Sequence, residues 1–283
     1  MPSSSSSARQ ALDTLAFRLR GLRLDAGLTG RDLATLANWH SSKVSKIEHS
    51  RQTPSAEDIR LWCLSCNAVD QIDELVHALQ TAEGMFVQWQ QLERDGLRRA
   101  QESVLPIWER TMHFRIYSSW LIPGPLQTQS YIRAILGRVK HMRHLDDDIE
   151  DAIRVRLDKQ AVIHQKQRRF AIILEESVLQ YPIGGSRVMV DQLGYLLSVA
   201  TLPAVSLGII PLGADRSLVG PAEGFWMFDD KEVTVELVSG HLTVTQSREV
   251  AAYGHRFSAL ASLAVYGNKA RPLIARALSL LES

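Results

Sequence analysis

The chain has 283 residues, 45% of them hydrophobic and 22% charged, and its 32 Lys and Arg are balanced by 31 Asp and Glu. At roughly 150 residues per domain this length suits about two domains; the composition excludes global disorder and the charge balance excludes a wholly basic nucleic-acid coat. Its two cysteines exclude a disulfide-built scaffold and fit a reducing compartment.

The opening residues, MPSSSSSARQ, are polar and lack the apolar stretch of a secretory signal, so a cytoplasmic location is expected and residues 1–8 read as a disordered tail. Leu12, Leu15, Ala16, Leu19, Leu22 and Ala26 then recur at three- and four-residue steps, an amphipathic helix for which Gly27 is the natural stop. Thr29 can N-cap a helix running through Ala37. After the break at Pro54, Ser55 can cap another carrying Ile59, Leu61, Trp62 and Cys66. Residues 9–82 therefore read as a domain of short helices. Between 85 and 108 the apolar positions Phe86, Trp89, Leu97, Ala100, Val104 and Trp108 predict one connector helix within residues 83–112.

Beyond the connector the period changes. Short apolar or alternating runs at 116–122, 170–174, 205–210, 225–228 and 233–238 predict strands. Helical patterns at 129–136, 149–163, 188–200, 250–266 and 272–281 lie between and after them, so residues 113–283 read as a mixed α+β domain. The uncharged segment 192–214 is long enough to span a bilayer, but Pro203 and Pro211 interrupt it and its second half is β-branched. A buried helix followed by a buried strand suits it better, and no membrane partner is expected. No internal repeat of fixed period is present.

Residues 30–49, GRDLATLANWHSSKVSKIEH, have the pattern of a helix-turn-helix. Leu33, Ala34 and Ala37 form the apolar face of its first helix, with the small Ala34 where two helices approach. Asn38 sits at the turn, which needs a left-handed residue. Val44 and Ile47 give the inward face of the second helix, leaving Ser41, Ser42, Lys43, Ser45 and Lys46 outward. Lys reaches guanine acceptors or phosphates, and Ser bonds base edges or backbone oxygens. Because the N-terminal part of such a helix enters the major groove, Ser41, Ser42 and Lys46 are assigned to base reading and Lys43 to phosphate or base. Arg51 and Thr53 would lie along the phosphate backbone, and Thr29 with the amides of Gly30 and Arg31 would present a helix N-terminus to a phosphate. The plainer alternative is a helical hairpin with a solvated Lys/Ser face. The expected fold is thus an all-α N-terminal helix-turn-helix domain plus an α+β C-terminal domain.

The stretch LRGLRLDAGLTGRDLATLANWHSSKVSKIEHSRQTPSAEDI resembles the xenobiotic-response-element (XRE) type of helix-turn-helix domain shared with phage repressors, over about residues 12–80. The likeness lies in the Leu-Arg pair, AGLT, KVSKIE and the R-x-TP that follows. It implies a structural ion pair between Arg23 and Glu48. Gly30 stands where many relatives carry a phosphate-contacting Gln, Asn38 at the usual turn Gly, and Ser50 at the usual Gly after the second helix. The later motifs IPGPLQTQSYIRAIL, IEDAIRVRLDKQAVI, FAIILEESVL, IGGSRVMVDQLGYLL, VSLGIIPLG and EGFWMF resemble an antitoxin-like domain of bacterial regulators, over about residues 85–281. That resemblance implies a toxin-antitoxin-type pairing with a small protein encoded nearby.

Other chemistry finds less footing. No P-loop, G-x-S-x-G elbow or H-E-x-x-H occurs, so no catalytic residues and no enzyme are expected. Glu175 and Glu176 are adjacent on a strand and point to opposite faces, which suits a structural ion pair with an Arg better than acid/base work. Cys63 and Cys66 share one helix face. Without a second Cys pair they read as packing groups, with a redox role as the alternative. His141 and His144 beside an acidic run read as a loop, with Asp146 as a helix cap, so no metal and no cofactor are expected.

The expectation is a sequence-specific transcriptional regulator on double-stranded DNA. One motif buries too little surface for tight binding, so a homodimer on an inverted-repeat operator is expected, with half-sites about 34 Å apart or a multiple of that. A regulator that senses a small-molecule ligand is the alternative, and an enzyme tethered to DNA a more distant one.

Overall fold

The computed structural model describes residues 6–84, 86–88, 92–93, 96–145 and 148–282. The chain forms two compact units, residues 1–87 and 88–283.

The first unit is helical: α1 (Ser6–Asp25), α2 (Gly30–Leu36), α3 (Ser41–Glu48), α4 (Ala56–Ser65) and α5 (Ile72–Gly84). Its core joins Leu15 and Leu19 of α1, Leu33 and Ala34 of α2, Val44 and Ile47 of α3, Ile59 and Trp62 of α4, and Leu75 and Leu79 of α5. Trp62 is fully buried, and its indole N–H donates to the Leu19 carbonyl at 2.9 Å, so the polar end of the largest core residue is satisfied.

Each of the first four helices stops in the same way. A left-handed residue follows the cap, namely Gly27, Asn38, Ser50 and Asn67 (φ 70°, 56°, 50° and 53°). The next two amides turn back onto the last helical carbonyls, as in Asn38 to Thr35 and Trp39 to Ala34, or Ser50 to Ile47 and Arg51 to Lys46. These double-bonded ends fix the short corners between helices, including the α2–α3 turn.

Cys63 and Cys66 are buried in this core, and burial pushes both thiols up, Cys66 to about 11. A thiolate is therefore scarce at neutral pH. We expect neither cysteine to react with a thiol reagent in the native protein at pH 7.5 and both to react in denaturant; rapid native labelling would refute the packing role.

The second unit is built on a mixed sheet. A short strand, β1 (Phe86–Gln88), lies at the boundary between the units. Within the unit are α6 (Leu97–Glu102), α7 (Leu105–Arg110), β2 (His113–Ser118), α8 (Gln129–Arg143), α9 (Ile149–Gln160), β3 (Arg169–Glu175) and α10 (Ser186–Val199). There follow β4 (Val205–Ile210), β5 (Phe225–Phe228), β6 (Glu232–Glu236), β7 (Gly240–Val244), α11 (Ser247–Leu263), β8 (Val265–Tyr266) and α12 (Arg271–Glu282). The strand order is β7-β6-β5-β2-β3-β4-β8. β2, β3 and β4 are parallel, joined by crossovers through α8–α9 and through α10, while β5, β6 and β7 form an antiparallel meander.

Alternation sorts the two faces. Phe114, Ile116, Phe170, Ile172, Leu174, Leu207 and Ile209 join residues of α8, α10 and α12 in one core. The opposite face presents Tyr117 and Phe225, and Phe225 meets Tyr253 and Phe257 of α11 edge-on. Both faces of the parallel strands are thus covered, as near-continuous apolar strands require.

Three expectations need correction. The expected disordered tail, residues 1–8, ends earlier, because α1 already begins at Ser6, where Ala8, Arg9 and Gln10 favour helix; residues 1–5 lie outside the described residues. The single connector helix over 83–112 is not formed. β1 interrupts it, Gly96 takes a left-handed conformation (φ 94°) that an α-helix does not permit, and Ser103 and Val104 separate α6 from α7. Trp89, expected on that helix, lies outside the described residues, as does Asp146. The strand expected at 116–122 runs instead over β2, because Pro123 and the tight bond from the Ser118 hydroxyl to the Leu121 carbonyl turn the chain after Ser118.

Candidate nucleic-acid interface

Along α3, Val44 and Ile47 are buried against α2 and α1, and this register turns Ser41, Ser42, Ser45 and Lys46 outward. Lys46 is exposed and has no ion-pair partner among the described residues. Arg51 and Thr53 follow on the exposed chain just past the Ser50 turn, and Arg31 is exposed on α2. Arg31, Lys46 and Arg51 are thus cations free to meet a polyanion.

Two of the expected contacts are placed differently. Lys43 does not extend outward. Its ammonium donates to Asp58 Oδ1 at 2.6 Å and lies 4.4 Å from the centre of the Trp39 ring, so its charge is already neutralised. Asp58 is the third residue of α4 and shares a reciprocal cap with Ser55. Although burial opposes it, the pairing with Lys43 and the Ser55 amide hold the Asp58 carboxyl below its ordinary range.

Thr29 is likewise committed. Its hydroxyl and amide both donate to Asp32 Oδ2, at 2.6 and 2.8 Å, in a complete capping box. These two bonds hold the Asp32 carboxyl below the usual range. An anionic side chain therefore occupies the place expected for phosphate, and Thr29 has no hydrogen left to give. Gly30 and Arg31 begin this short helix, and with Thr29, Ser41 and Ser45 they line an open furrow of about 540 Å³ between α2 and α3.

At the floor of the furrow Arg23 and Glu48 form a two-pronged ion pair, Nε to Oε1 at 2.6 Å and Nη2 to Oε2 at 3.0 Å. Their side chains are only 10% and 8% exposed, and Arg23 also donates to the Leu28 carbonyl at 2.7 Å. One salt bridge thereby ties the end of α1, the α1–α2 corner and the last turn of α3.

One residue near the interface escaped notice in the sequence. His40 is the N-cap of α3, and its Nδ1 accepts the Ser42 amide at 3.2 Å and contacts the Ser42 hydroxyl at 2.8 Å. His is not a preferred cap. Its place directly before Ser41 was the only available signal.

The other candidates have structural partners. Glu175 binds the Tyr117 hydroxyl at 2.6 Å and pairs with Arg216, whereas Glu176 accepts the Leu212 amide at 2.9 Å. Burial and the Glu175 carboxylate push the Tyr117 phenol up. His144 ends α8 in the left-handed region, and no cluster able to hold a metal occurs among the described residues. No helix is long and apolar enough to cross a membrane among the described residues. Segment 192–214 holds the end of α10 and then β4.

Comparison with known proteins bears on both units. A family model described as a helix-turn-helix domain matches residues 14–76, which makes the chain a helix-turn-helix DNA-binding regulator. No curated protein matches the chain. Among solved structures it is similar to TrmBL2, an archaeal chromatin protein described as showing a novel mode of DNA binding. The identity is 12% over 85% of this chain and 88% of that one, and the TM-score of 0.32 is too low to carry an argument. A second family model matches residues 109–276, more than half of the sequence, and the chain therefore belongs to the family defined by the domain of unknown function DUF5753, carried here behind the helix-turn-helix domain.

Proposed function

We propose that the protein is a cytoplasmic transcriptional regulator of the XRE type, without enzymatic activity, that reads an inverted-repeat operator as a homodimer. The observation that carries this reading is the face of α3: Ser41, Ser42, Ser45 and Lys46 stand exposed on a helix whose other face is locked into the core. A rigid helix presenting small donors and one long cation is suited to a major groove. Exposed Phe17 and Leu24, two turns apart on α1, support self-association through that helix. The mixed α+β unit is then the part that receives a signal, in the antitoxin-like reading from a small protein encoded nearby.

Arg51 supplies a direct test, because a phosphate contact acts on all sequences alike. Arg51→Ala is expected to weaken binding to operator and to unrelated duplex in equal proportion and to reduce the slope of log K against log salt by about one. An unchanged slope would remove Arg51 from the interface. For the partner, co-purification with the product of the adjacent gene is the expected result, and a protein that purifies alone from cells expressing both would contradict the pairing.

A further inference from the structure

Ser42 is the second residue of α3 and is exposed on its outward face. Its backbone amide donates to His40 Nδ1 at 3.2 Å. An amide nitrogen always carries its hydrogen, so this contact requires Nδ1 to be the bare nitrogen of the ring, with the imidazole hydrogen on Nε2. The Ser42 hydroxyl lies 2.8 Å from the same Nδ1. Because Nδ1 has no hydrogen to give, the hydroxyl is the donor in that contact.

A serine hydroxyl has one hydrogen and two lone pairs. With its hydrogen on His40, Ser42 Oγ has only lone pairs to offer a ligand. Ser41 and Ser45 are exposed on the same helix, and their hydroxyls have no hydrogen-bond partner among the described residues, so they turn freely to give or to take.

DNA does not treat the two senses alike. Phosphate oxygens, guanine N7 and O6, adenine N7 and thymine O4 are all acceptors. In the major groove the donors are the amines on adenine N6 and cytosine N4. An acceptor placed there makes no hydrogen bond to the backbone, to guanine or to thymine.

We propose that His40 sets the specificity of Ser42: by holding the hydroxyl hydrogen it leaves Ser42 an acceptor, so this position of α3 selects a base with a major-groove amine, adenine or cytosine. The inference rests on α3 being the reading helix and narrows Ser42 from a general polar contact to one hydrogen-bond sense. His40 is thus a positioning residue, acting through Ser42 without touching a base.

The test is selection of bound duplexes by the full chain and by Ser42→Ala at about pH 8, where imidazole is neutral, followed by titration of synthetic duplexes. We expect Ser42→Ala to lose preference at one position of each half-site, and the base preferred there by the parent to be adenine or cytosine. A duplex in which that base lacks only its exocyclic amine should bind the parent about two- to tenfold more weakly, the range of one hydrogen bond, and bind Ser42→Ala as well as the intact duplex does. His40→Ala frees the hydroxyl hydrogen, so guanine or thymine should be accepted at that position. His40→Asp, a preferred cap whose carboxylate only accepts, should keep the parent's preference even though its charge weakens binding to every duplex. If His40→Ala loses stability, His40→Asp and the duplex without the amine still decide. Guanine or thymine at the Ser42 position, no position altered by Ser42→Ala, no cost of removing the amine, an unaltered preference in a stable His40→Ala, or a lost one in His40→Asp would each overturn the inference while leaving α3 as the reading helix. Recovery of no common sequence would instead remove the reading of α3, and the inference with it.

Discussion

Glu48→Ala should make the backbone amides of α1 to α4 exchange with solvent about 100-fold faster or more, while those of the parallel strands β2 to β4 keep their rates. The reason is the buried pair with Arg23. Removing one partner of such a pair leaves an uncompensated charge and costs roughly 3–5 kcal/mol, of which every 1.4 kcal/mol is tenfold in the opening equilibrium. Glu48 also ends α3, where the helix dipole disfavours an anion, so its place there depends on Arg23. The double variant Arg23→Met, Glu48→Leu should recover most of the protection, because an apolar pair of similar volume replaces a buried ion pair at little cost. Unchanged exchange in Glu48→Ala, or a double variant worse than the single one, would refute the structural role.

The second large effect is on recognition. Lys46→Ala is expected to weaken operator binding by about 1–3 kcal/mol, or about 5- to 150-fold, and to relax preference at one base position. Lys43→Ala should do less to binding and more to stability, because the Lys43 ammonium is already paired with Asp58. The contrast is informative because both residues lie on α3, one turn apart. Were both variants to lose affinity equally, the ion pair with Asp58 would have to open on DNA. Were neither to lose any, α3 would not be the reading helix.

Much of this was legible in the sequence. Helix positions in the first unit follow from a 3.6-residue apolar period and from turn residues, and Asn38 and Ser50 take the left-handed conformation that ends α2 and α3. In the second unit the apolar runs at 205–210 and 225–228 match β4 and β5 to the residue. β7 and β8 were missed because the first alternates in only five residues and the second is two residues long, too short for a period to register. The broken connector was misread because apolar spacing alone does not report the positive φ of Gly96.

At the interface, residue type and spacing indicated which side chains point outward, but not which are already engaged. Lys43 and Thr29 are tied to Asp58 and Asp32, acids that serve as the third residues of capping boxes. Capping chemistry and phosphate chemistry draw on the same Ser, Thr and Asp residues near helix N-termini, so pattern alone does not separate them.

The central claim is that α3 reads an operator with two-fold symmetry. Selection of bound duplexes from fragmented genomic DNA by the full chain tests it most directly. The account predicts recovery of one inverted repeat, with half-site centres about 34 Å apart or a multiple of that, and loss of the enrichment with Lys46→Ala. Recovery of no common sequence, or of a single asymmetric site bound equally well by Lys46→Ala, would contradict it.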